Sequence, residues 1–270
     1  MNPAVREAAV AGMFYPTSPD ELARAVTQAS PPAADKIRAL ACMVPHAGYI
    51  YSGEVAGAVF ARLELPARFV ILCPNHTGYG QPLAIMSHGS WQTPLGAIGI
   101  DSSLAARLMG ACPYLQEDDM AHRREHAIEV ELPFLQLAVP GFTFVPIALG
   151  TSQYEVLRAL GEGLAQVLKE QRGSVLIVAS SDMNHYESDA VTRVKDRIAI
   201  ERVLALDAQG LHEAVFRERI SMCGFGPAVA TITAARSLGA VSAELVRYAT
   251  SAEVSGDFER VVGYAGIVIS

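Results

Sequence analysis

Ala41-Cys-Met-Val-Pro-His46-Ala-Gly-Tyr49, Ser52-Gly-Glu-Val-Ala-Gly-Ala-Val-Phe-Ala-Arg-Leu63 and Phe69-Val-Ile-Leu-Cys-Pro-Asn-His76-Thr-Gly-Tyr-Gly80 make up the stretch from Ala39 to the His76 turn that decides the fold. Two β-favouring apolar runs each stop at a proline, and a histidine follows at once in a turn containing glycine. The segment between them reads as a helix, with Ser52 placed to cap its first turn. Strand, helix and strand make a βαβ unit, so the two strands run parallel and both histidines leave the same sheet edge. In open α/β sheets that carboxyl edge is where ligands bind, so His46 and His76 are expected to be neighbours in space.

The pattern returns at Ser174-Val-Leu-Ile-Val-Ala-Ser-Ser-Asp182-Met-Asn-His185-Tyr186, a third apolar run that ends in a polar turn with a histidine. A single histidine so placed is explained by a hydrogen-bonded turn. Three with the same placement point to chemistry at the sheet edge, because strand ends and the loops after them carry reacting side chains. Two imidazoles and one anionic ligand leave open positions on a first-row metal, and a thiolate as the third ligand favours iron, copper or zinc over magnesium. Asp182 and His185 would then be free for proton transfer.

Working outward, the same alternation of strands and helices continues to the end of the chain, without an internal repeat. It predicts an α/β fold in a single domain over residues 1–270, with a largely parallel or mixed central sheet flanked by helices. The length of 270 residues suits that reading, and 51% hydrophobic against 18% charged residues requires much buried sheet and helix. A net charge of −7 and a pI near 5.5 argue against a general nucleic-acid or anionic-membrane surface. Residues 69–100 carry no charge but are broken by Pro74, Gly78, Gly80 and Pro82, so they cannot form one membrane helix. The first residues lack an apolar signal core, which makes a cytoplasmic location the expectation.

Several further segments carry expectations. Ala11–Pro16 is an irregular aromatic segment that either covers the pocket or seals a sheet edge. Ser18-Pro19-Asp20-Glu21 reads as a capping box opening a helix, and Pro31–Ala34 as a short linker. Asp101 should cap a helix with Leu104 and Leu108 on one face. The charged stretch from Glu117 to Glu131 reads as a helix that Pro133 kinks or restarts. On it, His126 and Glu129 lie three apart on one face, either as pocket wall or orienting partners for a ligand, or simply as solvated charge. The second histidine of an H-E-x-x-H zinc site is missing. Gly210 separates two helices. Of four cysteines, Cys42 and Cys73 belong to core strands. Cys223, in Ser221-Met-Cys-Gly-Phe-Gly-Pro227 before an Ala-rich helix, is open to readings as thiolate ligand, nucleophile or inert loop thiol.

Taken together, Met43-Val-Pro-His46-Ala-Gly-Tyr, Pro74-Asn-His76-Thr-Gly, Glu125-His126-Ala-Ile-Glu-Val-x-Leu-Pro-Phe, Ser180-Ser-Asp182-Met-Asn-His185-Tyr and Met222-Cys223-Gly224 resemble the Memo family, also called component B of the AmmeMemoRadiSam system. The resemblance implies the fold of the class III extradiol non-haem iron dioxygenases. It implies a metal held by His46, His76 and Cys223, with Fe(II) the first choice and Cu or Zn as alternatives, and with His185 matching the acid/base histidine beside Asp182. The dioxygenases carry a glutamate where Cys223 stands, which implies different redox tuning. The family is also linked to redox signalling, phosphopeptide binding and a radical SAM partner system. Three functions follow: a metal-dependent oxidoreductase acting on a small molecule or peptide; a peptide- or partner-binding module with Tyr49, Tyr51 and Asn75 on the pocket wall; and a Cys223 hydrolase or transferase with His185 as base.

Overall fold

A computed structural model of the chain describes residues 4–33, 35–171 and 173–270; Ala34, the last residue of the expected linker, lies outside them. The two-residue strand β1 (Val5–Arg6) leads to α1 (Pro19–Ala29). Ser18 holds the N-cap of α1, but its side chain makes no capping bond, so the start rests on the fixed φ of Pro19 and on Asp20 and Glu21 at the positive helix end. Next come β2 (Ala41–Val44), α2 (Tyr49–Arg62) and β3 (Arg68–Pro74). Helix α2 starts earlier than Ser52 implies. Gly48 is its N-cap, and the Ser52 hydroxyl donates back to the Ala47 carbonyl at 3.0 Å.

After β4 (Leu83–Ile85), the hairpin β5 (Ser90–Thr93) and β6 (Gly96–Gly99) precedes α3 (Ser102–Ala111), where the Asp101 carboxylate accepts from Leu104 N at 3.0 Å as expected. β7 (Gln116–Glu117) follows. The charged stretch is not one helix: His126 stands in an irregular loop, Glu129–Glu131 form a 3-10 turn, and α4 (Leu132–Ala138) restarts at Pro133. The cause is distant in sequence. The Arg6 guanidinium donates to the carbonyls of His122 (3.0 Å) and Glu125 (2.5 Å), and the His122 carbonyl also accepts from Glu125 N (3.3 Å), so the loop is held in a tight turn in place of a helix. His126 and Glu129 therefore do not share a helical face.

The rest of the chain comprises β8 (Thr143–Leu149), α5 (Tyr154–Leu168), β9 (Leu176–Ser180), β10 (His185–Glu187), α6 (Asp189–Leu204), α7 (Ala208–Arg217), α8 (Phe225–Ser237), β11 (Ala243–Thr250), α9 (Ala252–Ser255) and β12 (Val261–Ile269). The break between α6 and α7 falls before Asp207, which caps α7 by accepting from Gly210 N at 2.8 Å; Gly210 itself is helical.

Among the described residues nine strands form the main sheet, and β2, β9, β3 and β8 run parallel at its centre. Antiparallel β12, flanked by β10 and β11, extends one side, and antiparallel β4 with β7 extends the other. The sheet is mixed and the βαβ reading of residues 41–74 holds, with β9 inserted between its two strands. Side chains alternate across the pleat: Met43, Val70, Leu72, Ile147 and Ile177 pack under α3, α5, α6 and α8, while Cys42, Val44, Ile71, Cys73 and Val178 pack under α2 and α4. Among the described residues no helix is long and apolar enough to cross a membrane. A smaller sheet, β1-β5-β6, seats the N-terminal segment beside the charged loop.

Two close approaches test this packing. A Cβ on Gly57 would stand 2.1 Å from the Ala29 carbonyl oxygen, because α2 crosses the end of α1 there. Gly57→Ala should lower stability by about 2 kcal/mol, since the backbones must separate, read as the midpoint of urea unfolding. Asp196 is buried, accepts from Asn184 N (2.8 Å) and the Tyr248 hydroxyl (2.7 Å), and burial raises its carboxyl to about 6 from an unfolded value of 3.8. The native state favours the proton, so this contribution is complete below pH 3.8 and is lost as pH rises through 6. Relative to Asp196→Asn, the wild type should lose about 2–3 kcal/mol between pH 4 and pH 7 in urea titrations.

Candidate metal centre

Three parallel strands deliver the centre at one edge. His46 follows β2, His76 follows β3, Ser180 ends β9 with Ser181 and Asp182 after it, and Cys223 arrives from the turn before α8. The His46 and His76 ring centroids are 5.1 Å apart, and Cys223 Sγ lies 3.3 Å from His46 Nε2. One donor atom from each of His46, His76 and Cys223 falls within 4.8 Å of the others. A tetrahedral ion with bonds of about 2.1 Å to nitrogen and 2.3 Å to sulfur would separate those two ligands by about 3.6 Å. The observed spacing fits such an ion.

The imidazoles are turned to present Nε2. Ser180 Oγ donates to the Ala127 carbonyl (2.8 Å), so it accepts at 2.8 Å from His46 Nδ1–H. The Glu125 carboxylate accepts from His76 Nδ1–H at 2.9 Å and from His76 N at 2.6 Å. His185 Nδ1 faces the Ser221 carbonyl at 2.8 Å, and a carbonyl can only accept. In their neutral form all three rings thus carry their proton on Nδ1 and a lone pair on Nε2, the tautomer needed for ligation or proton acceptance through Nε2.

Electrostatics follow the same arrangement. Burial holds the fully buried His46 well below the ordinary imidazole value, with His76 and His126 adding to it. His76 is raised: burial works against its charge, but the Glu125 carboxylate outweighs that, and Glu125 is lowered in return. Asp182 accepts from His46 N at 2.8 Å, and burial raises its carboxyl to about 7. Through that bond it fixes the turn carrying His46. Burial and the neighbouring Asp182 push the Cys223 thiol well above its ordinary value, which opposes the lowering expected from the start of α8. A nearby cation is the change that would hold it as thiolate.

Other expected residues are placed differently. His126 stacks on His76 with centroids 4.9 Å apart and planes at 20°, and its Nδ1 lies 3.5 Å from Glu125 Oε1. Glu129 turns away from the cluster, accepting from Ala9 N, Val10 N and the Tyr15 hydroxyl and pairing with Arg6. The carboxylate that orients a cluster histidine is Glu125, not Glu129. The Tyr49 hydroxyl donates to the Val130 carbonyl at 2.7 Å. Asn75 spends its amide on its own turn, accepting from Thr77 and Gly78 and donating to the Tyr79 carbonyl. Tyr51 packs with Val55 and Tyr264. The aromatic segment Ala11–Pro16 borders the centre, with Phe14 4.8 Å from His126, rather than sealing a sheet edge. Glu125, Ser180 and Ser221 were missed as orienting groups; only the position of Glu125 next to His126 in a motif could have signalled one of them.

The chain matches the family model described as Memo-like protein over residues 6–268. It is 43% identical to a MEMO1 family protein of Methanopyrus kandleri, across 97% of this chain and 98% of that one. It is 42% identical to another of Aquifex aeolicus, across 98% of both. Among solved structures, an uncharacterized protein of Escherichia coli K12 shares the fold with a TM-score of 0.54, at 12% identity, over 84% of this chain and 98% of its own.

The geometry makes Glu125→Gln informative, because the amide would turn a donor toward His76. Affinity for Zn²⁺, read by chelator competition with circular dichroism as the check on folding, should fall about 10- to 100-fold.

Proposed function

This chain belongs to the Memo-like protein family, and on that premise we propose that it is a metal-dependent oxidoreductase with iron(II) held by His46, His76 and Cys223. The observation that carries the reading is the convergence of two Nε2 lone pairs and one sulfur, with each ring proton held on the far side by Ser180 or Glu125. When bound, such an ion supplies one-electron and Lewis-acid chemistry with open positions for a substrate. Copper or zinc would use the same three residues.

The chain's own residues supply the rest. His185, fixed through Nδ1 to Ser221 and tied by its backbone N–H to the Ser221 hydroxyl (2.7 Å), offers Nε2 as a proton acceptor, and burial holds the ring below the ordinary imidazole value. Asp182 keeps the His46 turn in place through the His46 N–H. Buried Ser180 and Glu125 prevent either ring from flipping, so the donors are set before an ion arrives. The nucleophile reading of Cys223 has less support, because a half-buried thiol raised by desolvation and by the neighbouring Asp182 is a poor attacking group.

Iron analysis of anaerobically purified protein beside Cys223→Ser tests the assignment. We expect close to one iron per chain in the wild type, at least tenfold less in the variant, and oxygen uptake only by the loaded wild type. Full iron content in the variant, or a folded wild type that takes up none, would sink the reading.

A further inference from the structure

The N-terminal segment, residues 5–15, crosses the charged loop beside the centre and is held there by buried groups that the proposed chemistry does not use. Arg6 is 4% exposed, lies 4.3 Å above the Trp91 ring and pairs with Glu129. Its guanidinium also donates to the carbonyls of His122 and Glu125. Glu129 in turn collects Ala9 N (2.8 Å), Val10 N (3.0 Å) and the Tyr15 hydroxyl (2.5 Å) from the same segment. Farther along it, the Phe14 carbonyl accepts from Tyr49 N at 2.8 Å, at the start of the helix that follows His46.

We propose that residues 5–15 are a strap that sets the centre, with Arg6 as a positioning residue acting through Glu125 on His76. The route is short. Arg6 fixes the Glu125 carbonyl, and the Glu125 carboxylate takes both the backbone N–H and the Nδ1–H of His76, leaving Nε2 aimed at Cys223 and His46. His46 is held from the opposite side by Asp182 and Ser180, which the strap does not touch. Arg6 therefore acts on one ligand of the pair. A planar guanidinium reaches three acceptors at once; a lysine ammonium keeps the charge opposite Glu129 but cannot span the set. Because coupling is reciprocal, an ion on His76 must also tighten the strap.

The part concerning the ion rests on the reading of His76 as a ligand; the positioning itself is measurable without metal. In metal-free protein, Arg6→Lys should speed hydrogen exchange at the His76 amide at least tenfold while leaving the His46 amide within about twofold. Zn²⁺ affinity by chelator competition should fall about 10- to 100-fold, and saturating Zn²⁺ should slow exchange at the Ala9 and Val10 amides of the wild type. Equal acceleration at both histidine amides, as a merely structural role would give, or no change at His76, overturns the proposal. If the wild type binds no Zn²⁺ yet Arg6→Lys frees the His76 amide selectively, the strap stands and the metal assignment falls. Should Arg6→Lys fail to fold, Arg6→Met/Glu129→Gln removes both buried charges together and is judged by the same selectivity between the two amides.

Discussion

Because β2, β9, β3 and β8 are hydrogen-bonded side by side in one direction, the chain must leave the sheet at the same edge each time it finishes one of them. That constraint places His46, Asp182 and His76 within a few ångströms although more than a hundred residues separate the first from the second. The crossover helices α2 and α5 help bury the two faces of the parallel core, and the loops that carry the cluster lie where the strands end. Cys223 completes the cluster from outside the sheet. Its turn fits only because Gly224 lets the backbone approach Ser180 and Ser181, where a Cβ would stand 2.3 Å from the Ser180 carbonyl oxygen.

Charge is distributed with equal economy. Asp182, Asp196 and Glu131 are buried, and burial raises each of them toward the neutral acid. Glu125 is as deeply buried yet is lowered, because its oxygens receive the His76 ring and backbone N–H groups and Ala127 N. Ionisation in this interior is thus tied to a specific set of donors rather than to depth.

The apolar runs with their prolines and histidines made the parallel core and the placement of His46 and His76 readable, since strand periodicity and the βαβ rule act locally. Position 223 was singled out by its Gly-rich turn, but its link to His46 came only with the family resemblance. The charged loop was misread as a helix for a definite reason. Its pattern is helical, but two of its carbonyls are held by an arginine 116 and 119 residues away, a link that periodicity cannot reveal. The backbone partners of Tyr49 and Asn75 were hidden in the same way, because each lies beyond the reach of local periodicity.

The shared tautomer of the three imidazoles has a consequence for the order of events. With every ring proton facing outward to Ser180, Glu125 or Ser221, these rings show incoming molecules only electron pairs. An anionic guest would find no imidazole N–H to greet it and would be repelled by the same lone pairs that welcome a positive charge. On the proposed reading, and while His76 is neutral, a cation would be seated first and an anion would follow onto it.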